Sequence, residues 1–316
     1  MLLYTIIILI QIYCIVINKV LRTGVEENFI IGKFYINQTN SPEQIINSGL
    51  YNKEEIQKAE IYINNKKINF DYFYSFPIIG EYTIIYKFSD SIIDMDRIFY
   101  NISSLIYLDL THFNSSSVIN MDSSFRESKS LKSIDFSNFD SSQVTYMGGL
   151  FMDSESLISL DLSNFKTSEL RDMRNMFHGC LSLKSIDVSS FDTKNVVNTI
   201  YMFYGCVSLT SLNLTSFNTP KLNEVRHMFD NCINLETLLI PNLVTSKVVN
   251  MENMFSNCKT IKSLDLSHLN FGKLKNMEYM FYGCSSLEQI ILPNFNASNI
   301  YKDFAYEGCD AQIIKK

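Results

Sequence analysis

Six of the seven cysteines in this sequence lie at Cys180, Cys206, Cys232, Cys258, Cys284 and Cys309, each 26 residues after the last except the final one, which follows after 25. Thiols at a regular interval suggest either a metal array or a set of disulfides. Zinc-binding cysteines come in close pairs or interleaved with histidines, and the sequence holds no CxxC pair. Equivalent atoms of stacked repeats sit about 5 Å apart with parallel Cα–Cβ bonds, wider than the roughly 3.8 Å between Cβ atoms that a disulfide needs. The expected state is therefore a buried ladder of small apolar thiols, reduced and inaccessible. Ser128 and Ser154 hold the same place in earlier copies, which fits size rather than chemistry.

Aspartate makes a second column. Asp109, Asp135, Asp161 and Asp187 recur at the same interval, and Asp265 rejoins the series after Asn213 and Leu239. Carboxylates stacked one repeat apart repel one another and raise their own pKa unless something offsets the charge. Two readings stand. Each Asp accepts hydrogen bonds from nearby serines such as Ser163 and Ser189, or the column is an acidic ribbon for a basic protein surface or for Ca²⁺. Tyr201, Tyr204, Tyr279 and Tyr282 are candidate anchors for a protein partner. His112, His178, His227 and His268 occupy three different repeat positions and form no cluster in sequence. No nucleophile elbow, P-loop or HExxH occurs, so no catalytic residue, cofactor or resident metal is expected, and the chain reads as non-enzymatic.

The elements that position these columns follow from the repeat. Copies open at Ile79, Leu105, Leu131, Leu157, Leu183, Leu209, Leu235, Ile261 and Leu287, every difference being 26. A fixed period in this range marks a solenoid. Counting from the opening residue, positions 4 and 6 are apolar in the interior copies, as in Leu160 and Leu162, which predicts a short strand with position 5, the Asp column, pointing outward. Position 9 is a large apolar residue, as in Phe139, Phe165 and Phe191. Positions 17, 20, 21 and 24 then follow the i, i+3, i+4, i+7 spacing of a helix face, as in Met173, Met176, Phe177 and Cys180. Asn or Asp at position 16 suits an N-cap, and Gly or Asn at position 23 suits the left-handed residue that ends a helix. The expected fold is α/β: a leucine-rich-repeat-like solenoid of nine 26-residue strand–helix repeats. One parallel sheet of about nine rungs, roughly 40 Å long, should line one side.

The segments SLDLSNFKTSELRDMRNMFHGC (159–180) and SIDVSSFDTKNVVNTIYMFYGC (185–206) resemble the repeat of BspA-like leucine-rich surface proteins, a repeat also found in mycoplasma-type lipoproteins. The resemblance implies the solenoid fold and an association with cell surfaces and adhesion to host or matrix proteins, and it brings no catalytic residues. The end copies depart from the pattern: Tyr82 and Lys87 replace the expected Leu and Phe, and Asp303 is expected at the Met position of a last copy that is one residue short. Atypical end repeats are usual in solenoids.

Residues 2–18 are apolar apart from Thr5, Gln11 and Asn18, and residues 1–23 read as a signal peptide or a signal anchor. Cys14 lies where a lipobox cysteine would stand, although QIYC lacks the small residue that usually precedes it. Residues 24–78 read as a β-rich module that caps the solenoid at 79–309 or forms a separate binding domain, with 310–316 as a C-terminal tail. Within that module FIIGKFYI (29–36), EIYIN (60–64) and INFDYFYSF (68–76) read as strands, NNKK (64–67) as a hairpin turn, and Ser41 as the start of a short helix. A net charge of −6 with no basic run argues against nucleic acid. The function expected is a cell-surface or secreted protein-binding repeat protein of adhesion type, with a protein ligand and membrane contact only through the N-terminal segment. The alternative is an intracellular interaction scaffold.

Overall fold

A computed structural model describes residues 28–50 and 53–316; the apolar leader and Cys14 lie outside these residues. The expected alternation of strand and helix is not what the repeats form. They wind into a β-solenoid of about eight turns, and among the described residues the one α-helix is α1 (Lys53–Ile56), outside the repeats.

On one side of the core the repeats contribute short strands: β7 (Leu105–Asp109), β8 (Ser133–Asp135), β9 (Ser211–Asn213), β10 (Thr237–Leu239), β11 (Ser263–Asp265) and β12 (Gln289–Leu292), joined by β13 (Gln312–Lys315). Their mutual pairing is parallel and in register from one copy to the next, as in Leu108 opposite Ile134 and Leu264 opposite Ile290. The sheet is not the continuous one expected. It falls into the parallel sets β7–β8, β9–β10 and β11–β12–β13, and the copies opening at Leu157 and Leu183 form no strand at this level.

On the other side lies the segment expected to be helical. Its backbone turns left-handed at position 19 and again at position 23, for example at Asn175 (φ 54°) and Gly179 (φ 69°), and at Tyr201 (φ 55°) and Gly205 (φ 67°). An α-helix cannot contain such residues in its interior. The chain instead makes tight turns every four residues, which bring positions 17, 20, 21 and 24 inward just as a helix face would. Alternate N–H groups close the turns, as Met176 to the Met173 carbonyl at 3.3 Å and His178 to Asn175 at 3.1 Å. The others cross to the next rung, as Phe177 to Met202 at 2.9 Å and Gly179 to Tyr204 at 2.8 Å.

Spacing explains why turns win over helix. The position-21 phenylalanines from Phe99 to Phe281 form a stack with ring centroids 5.4–6.2 Å apart. Helices packed side by side need about 8–10 Å between axes. A flat rung fits this pitch and a helix does not. Phe113, Phe139, Phe165 and Phe191 on the strand side are spaced similarly, at 5.8–6.4 Å, so these rungs stack without a wedge. That pitch exceeds the ~4.8 Å of paired strands, and the strand ladder gives way where the turn ladder does not.

The six Asn and Asp residues at position 16 cap turns rather than helices. Asp94, Asn120, Asp172, Asn198, Asn250 and Asn276 each accept, through Oδ1, the N–H two residues on, at 2.8–3.0 Å. A further ladder, not anticipated, runs along position 11. Buried Thr167 accepts the Asp192 N–H at 2.8 Å and donates its hydroxyl to the Asp192 carbonyl at 3.2 Å, and Ser141 and Thr245 repeat both bonds.

At the N-terminal end β1 (Asn28–Ile36) runs antiparallel between β6 (Gly80–Phe88) and β7. β3 (Glu60–Ile63) and β4 (Lys66–Ile68) extend this sheet in the order β4-β3-β6-β1-β7-β8. Asn64 and Asn65, both at positive φ, make the hairpin turn between β3 and β4. Tyr82 and Lys87 lie on β6, so the strand half of the first copy pairs with the antiparallel module, while its turn half, around Met95 and Phe99, joins the ladder. The helix expected from Ser41 is absent. Pro42–Gln44 is a strand, β2, paired with β5 (Phe73–Ser75), and that pairing overrides the local start signal. In the last copy Asn276 bridges Tyr301, which places the missing residue earlier and puts Lys302, not Asp303, at the Met position.

Candidate functional site

The Asp column lies on the strand side, where position 5 falls between the inward positions 4 and 6, as Asp161 does between buried Leu160 and Leu162. Each member is held by the residue two places on. Asp161 Oδ1 accepts the Ser163 N–H at 3.0 Å, Asp187 the Ser189 N–H at 2.9 Å, and Asp265 the Ser267 N–H at 3.0 Å. Asp135 takes the Ser137 N–H at 2.9 Å and its hydroxyl at 2.5 Å. At three members an offset to mutual repulsion is in place. The serine hydroxyl, and then the backbone N–H, hold Asp161, Asp187 and Asp265 below the usual carboxylate range. Asp161 pushes Asp187 upward only as a lesser effect. These carboxylates therefore stay charged, each with one oxygen anchored.

The column is uneven in exposure. Asp161, Asp187 and Asp265 are exposed and Asp135 is half-buried, whereas Asp109 is only 6% exposed and bonds to Thr111. Asp135 and Asp161 line a shallow cavity of about 460 Å³ with Tyr107, Phe136 and Asn164. Asp265 stands apart, next to Ile291 and 3.8 Å from the Lys316 ammonium. Among the described residues no group of three or more His, Cys, Asp or Glu is placed to hold a metal ion.

The tyrosines lie across the core, on the turn side. Tyr201 and Tyr204 meet edge to face at 5.4 Å, and Tyr279 and Tyr282 do the same at 5.7 Å. The stacking of rungs also brings together two histidines that the sequence leaves apart. His178 stacks on Tyr204 at 4.6 Å and His227 on Tyr201 at 4.3 Å. His227 Nδ1 lies 2.9 Å from Asp230, whereas burial pushes the His178 pKa down and its Nδ1 has no hydrogen-bond partner. The signal was available, since these four residues fill positions 19 and 22 of adjacent copies.

The thiols are buried and unbridged. Burial raises their pKa, Cys284 reaching about 12. They also make bonds. Cys180, Cys206, Cys232, Cys258 and Cys284 each donate to the position-21 Phe carbonyl of the preceding rung at 3.0–3.2 Å. Ser128 and Ser154 do the same at 2.7 and 2.8 Å, so the shared slot reflects hydrogen-bonding chemistry as well as size.

No curated protein matches the chain. A leucine-rich repeat protein from Bacteroides ovatus is 16% identical over 71% of this chain and 69% of its own, with a TM-score of 0.34. A leucine-rich cell surface protein from Faecalibacterium prausnitzii is 16% identical over 73% of this chain and 84% of its own, with a TM-score of 0.25. Residues 93–211 and 202–311 match the family described as "Mycoplasma protein of unknown function, DUF285". Those two segments span most of the chain, which therefore belongs to that mycoplasma family, and its 26-residue unit resembles the repeat of BspA-like leucine-rich surface proteins.

Proposed function

We propose that this chain is a non-enzymatic, surface-displayed or secreted protein-binding solenoid of adhesion type, and that its ligand is a host, prey or matrix protein presenting a basic surface. The observation that carries the reading is the anchored pair Asp161 and Asp187, exposed on adjacent rungs with pKa values held low by Ser163 and Ser189. Charges fixed on a rigid face lose little freedom on binding, and they steer a basic partner toward the surface. The apolar leader supports delivery to the surface, and the name of the Faecalibacterium protein, a cell surface protein, agrees with it. Among the described residues no helix is long and apolar enough to cross a membrane.

The column supplies its own control. Asn213 accepts the Thr215 N–H at 3.0 Å just as its Asp neighbours accept theirs, so Asn keeps the turn and removes only the charge. The double change Asp161→Asn and Asp187→Asn should leave the melting temperature within the scatter of repeat measurements. Capture of partners from host-cell or matrix extracts at low salt should fall several-fold, and added salt should weaken the unaltered protein in the same way. Equal capture by both proteins would remove the acidic face from the account. Protease shaving of intact cells tests the surface location: the repeat epitope should be lost while cytoplasmic markers survive.

A further inference from the structure

The turn-side ladder has a direction. Along successive rungs the N–H groups at positions 17, 19, 21 and 23 donate to carbonyls at positions 16, 18, 20 and 22 of the rung that follows, as Phe255 to Met280 at 3.0 Å and Asn257 to Tyr282 at 2.7 Å. Peptide dipoles aligned head to tail add, as they do in a helix. On this side the solenoid therefore presents carbonyls toward its N-terminal end and N–H groups toward its C-terminal end. The antiparallel module meets one of these carbonyls with a donor: the Asn47 N–H bonds the Ile98 carbonyl at 3.1 Å, while its Nδ2 holds the neighbouring Arg97 carbonyl, which closes a turn within the rung, at 2.8 Å.

The other end is different. The N–H groups of Lys302, Phe304, Tyr306 and Gly308 are the corresponding donors of the final rung, and they have no acceptor among the described residues. Tyr301 and Phe304 beside them are 72% and 53% exposed. Phe304 stacks on Tyr279 at 5.1 Å and offers its outer face, and β13 lies at the edge of its sheet. A row of unused donors flanked by exposed rings, next to an open strand edge, is a template for another chain.

We propose that this face docks an extended segment of another polypeptide as one further rung, its carbonyls accepting from Lys302, Phe304, Tyr306 and Gly308 and its apolar side chains covering Phe304. Alternate residues of the final rung present the donors, which matches backbone carbonyls at every second residue rather than a compact anion. The nearby charges also cancel, with Lys302, Lys315 and Lys316 set against Asp303, Glu307 and Asp310. A second copy docked end against end in the same sense sets donors against donors. At the N-terminal end, where the carbonyls lie, the antiparallel module is already packed against the first rung, with Ile45, Ile46 and Leu50 buried in one core with Ile98 and Phe99.

The test is residue-resolved amide exchange of the full chain, with and without a peptide of sequence 276–284, the equivalent segment of the preceding copy. In the free protein the four amides should exchange at least about a hundredfold faster than those of Met277, Tyr279, Phe281 and Gly283. Saturating peptide should slow them. Phe304→Asn, which suits the positive φ of 56° there and so spares the fold, should weaken the peptide about tenfold. Fast exchange that persists at saturating peptide overturns the proposal. So does protection before peptide is added together with a dimer in sedimentation.

Discussion

Asp96 shows how burial and neighbouring charge act on one carboxylate of the turn side. It is 8% exposed, and desolvation lifts its pKa to about 6, with Asp94 and Asp122 adding to the rise and Arg97 opposing it at 3.7 Å. The folded chain thus binds this proton more tightly than the unfolded chain, whose Asp titrates near 3.9. The resulting stability is fully present below the unfolded value and is lost as pH rises through about 6. Asp96→Asn is uncharged at either pH. It should raise stability by about 1 kcal/mol at pH 7.5 and change it little at pH 4, in thermal melts at the two pH values. Equal shifts at both would mean that the carboxylate's charge is not the cause. At this scale the columns themselves were legible, since a 26-residue interval puts Asp with Asp and Cys with Cys. Their bonding was only half legible. The serine partners of Asp161 and Asp187 could be named, whereas the Phe carbonyls that receive Cys180 and Ser154 could not, because those partners belong to the preceding rung.

The turn segment is where sequence and structure part. Position 16 was read correctly as a side-chain oxygen accepting a backbone N–H, and position 23 as left-handed backbone, with Gly179 and Asn231 as examples. Both features also belong to tight turns, and so does the inward spacing of Met176 and Phe177. What discriminates is position 19, where Gly149, Asn175 and Asn253 suit left-handed backbone in the middle of the supposed helix. The spacing of about 5 Å that excluded disulfides between stacked cysteines applies equally to stacked helices and excludes them too. Gly205 tests the turn geometry by itself. Its φ is 67° and an added Cβ would meet nothing closer than 4.0 Å, so Gly205→Ala introduces backbone strain without a clash. It should cost about 1 kcal/mol in denaturant unfolding, whereas a Gly205 in relaxed right-handed backbone would gain stability from the same change.

For the molecule as a whole, the period and the apolar positions were enough to establish a solenoid and its continuous core, because one buried stripe per copy has to be covered by the next. How the rungs are tied together was not legible. Strands were expected to carry the length of the molecule, yet the turn side carries it, through bonds such as Phe203 to Met228 at 3.0 Å and Phe229 to Met254 at 3.0 Å. The binding face proposed for Asp161 and Asp187 would take its rigidity from that ladder. Scalar couplings across hydrogen bonds, read by NMR on isotope-labelled, deuterated protein, report each donor–acceptor pair directly. The Phe177 amide nitrogen should couple to the Met202 carbonyl carbon, one rung away, and the Gly179 nitrogen to that of Tyr204. Couplings from Phe177 to the Met173 carbonyl carbon instead, four residues back as in an α-helix, would contradict the ladder and the flat rungs built on it.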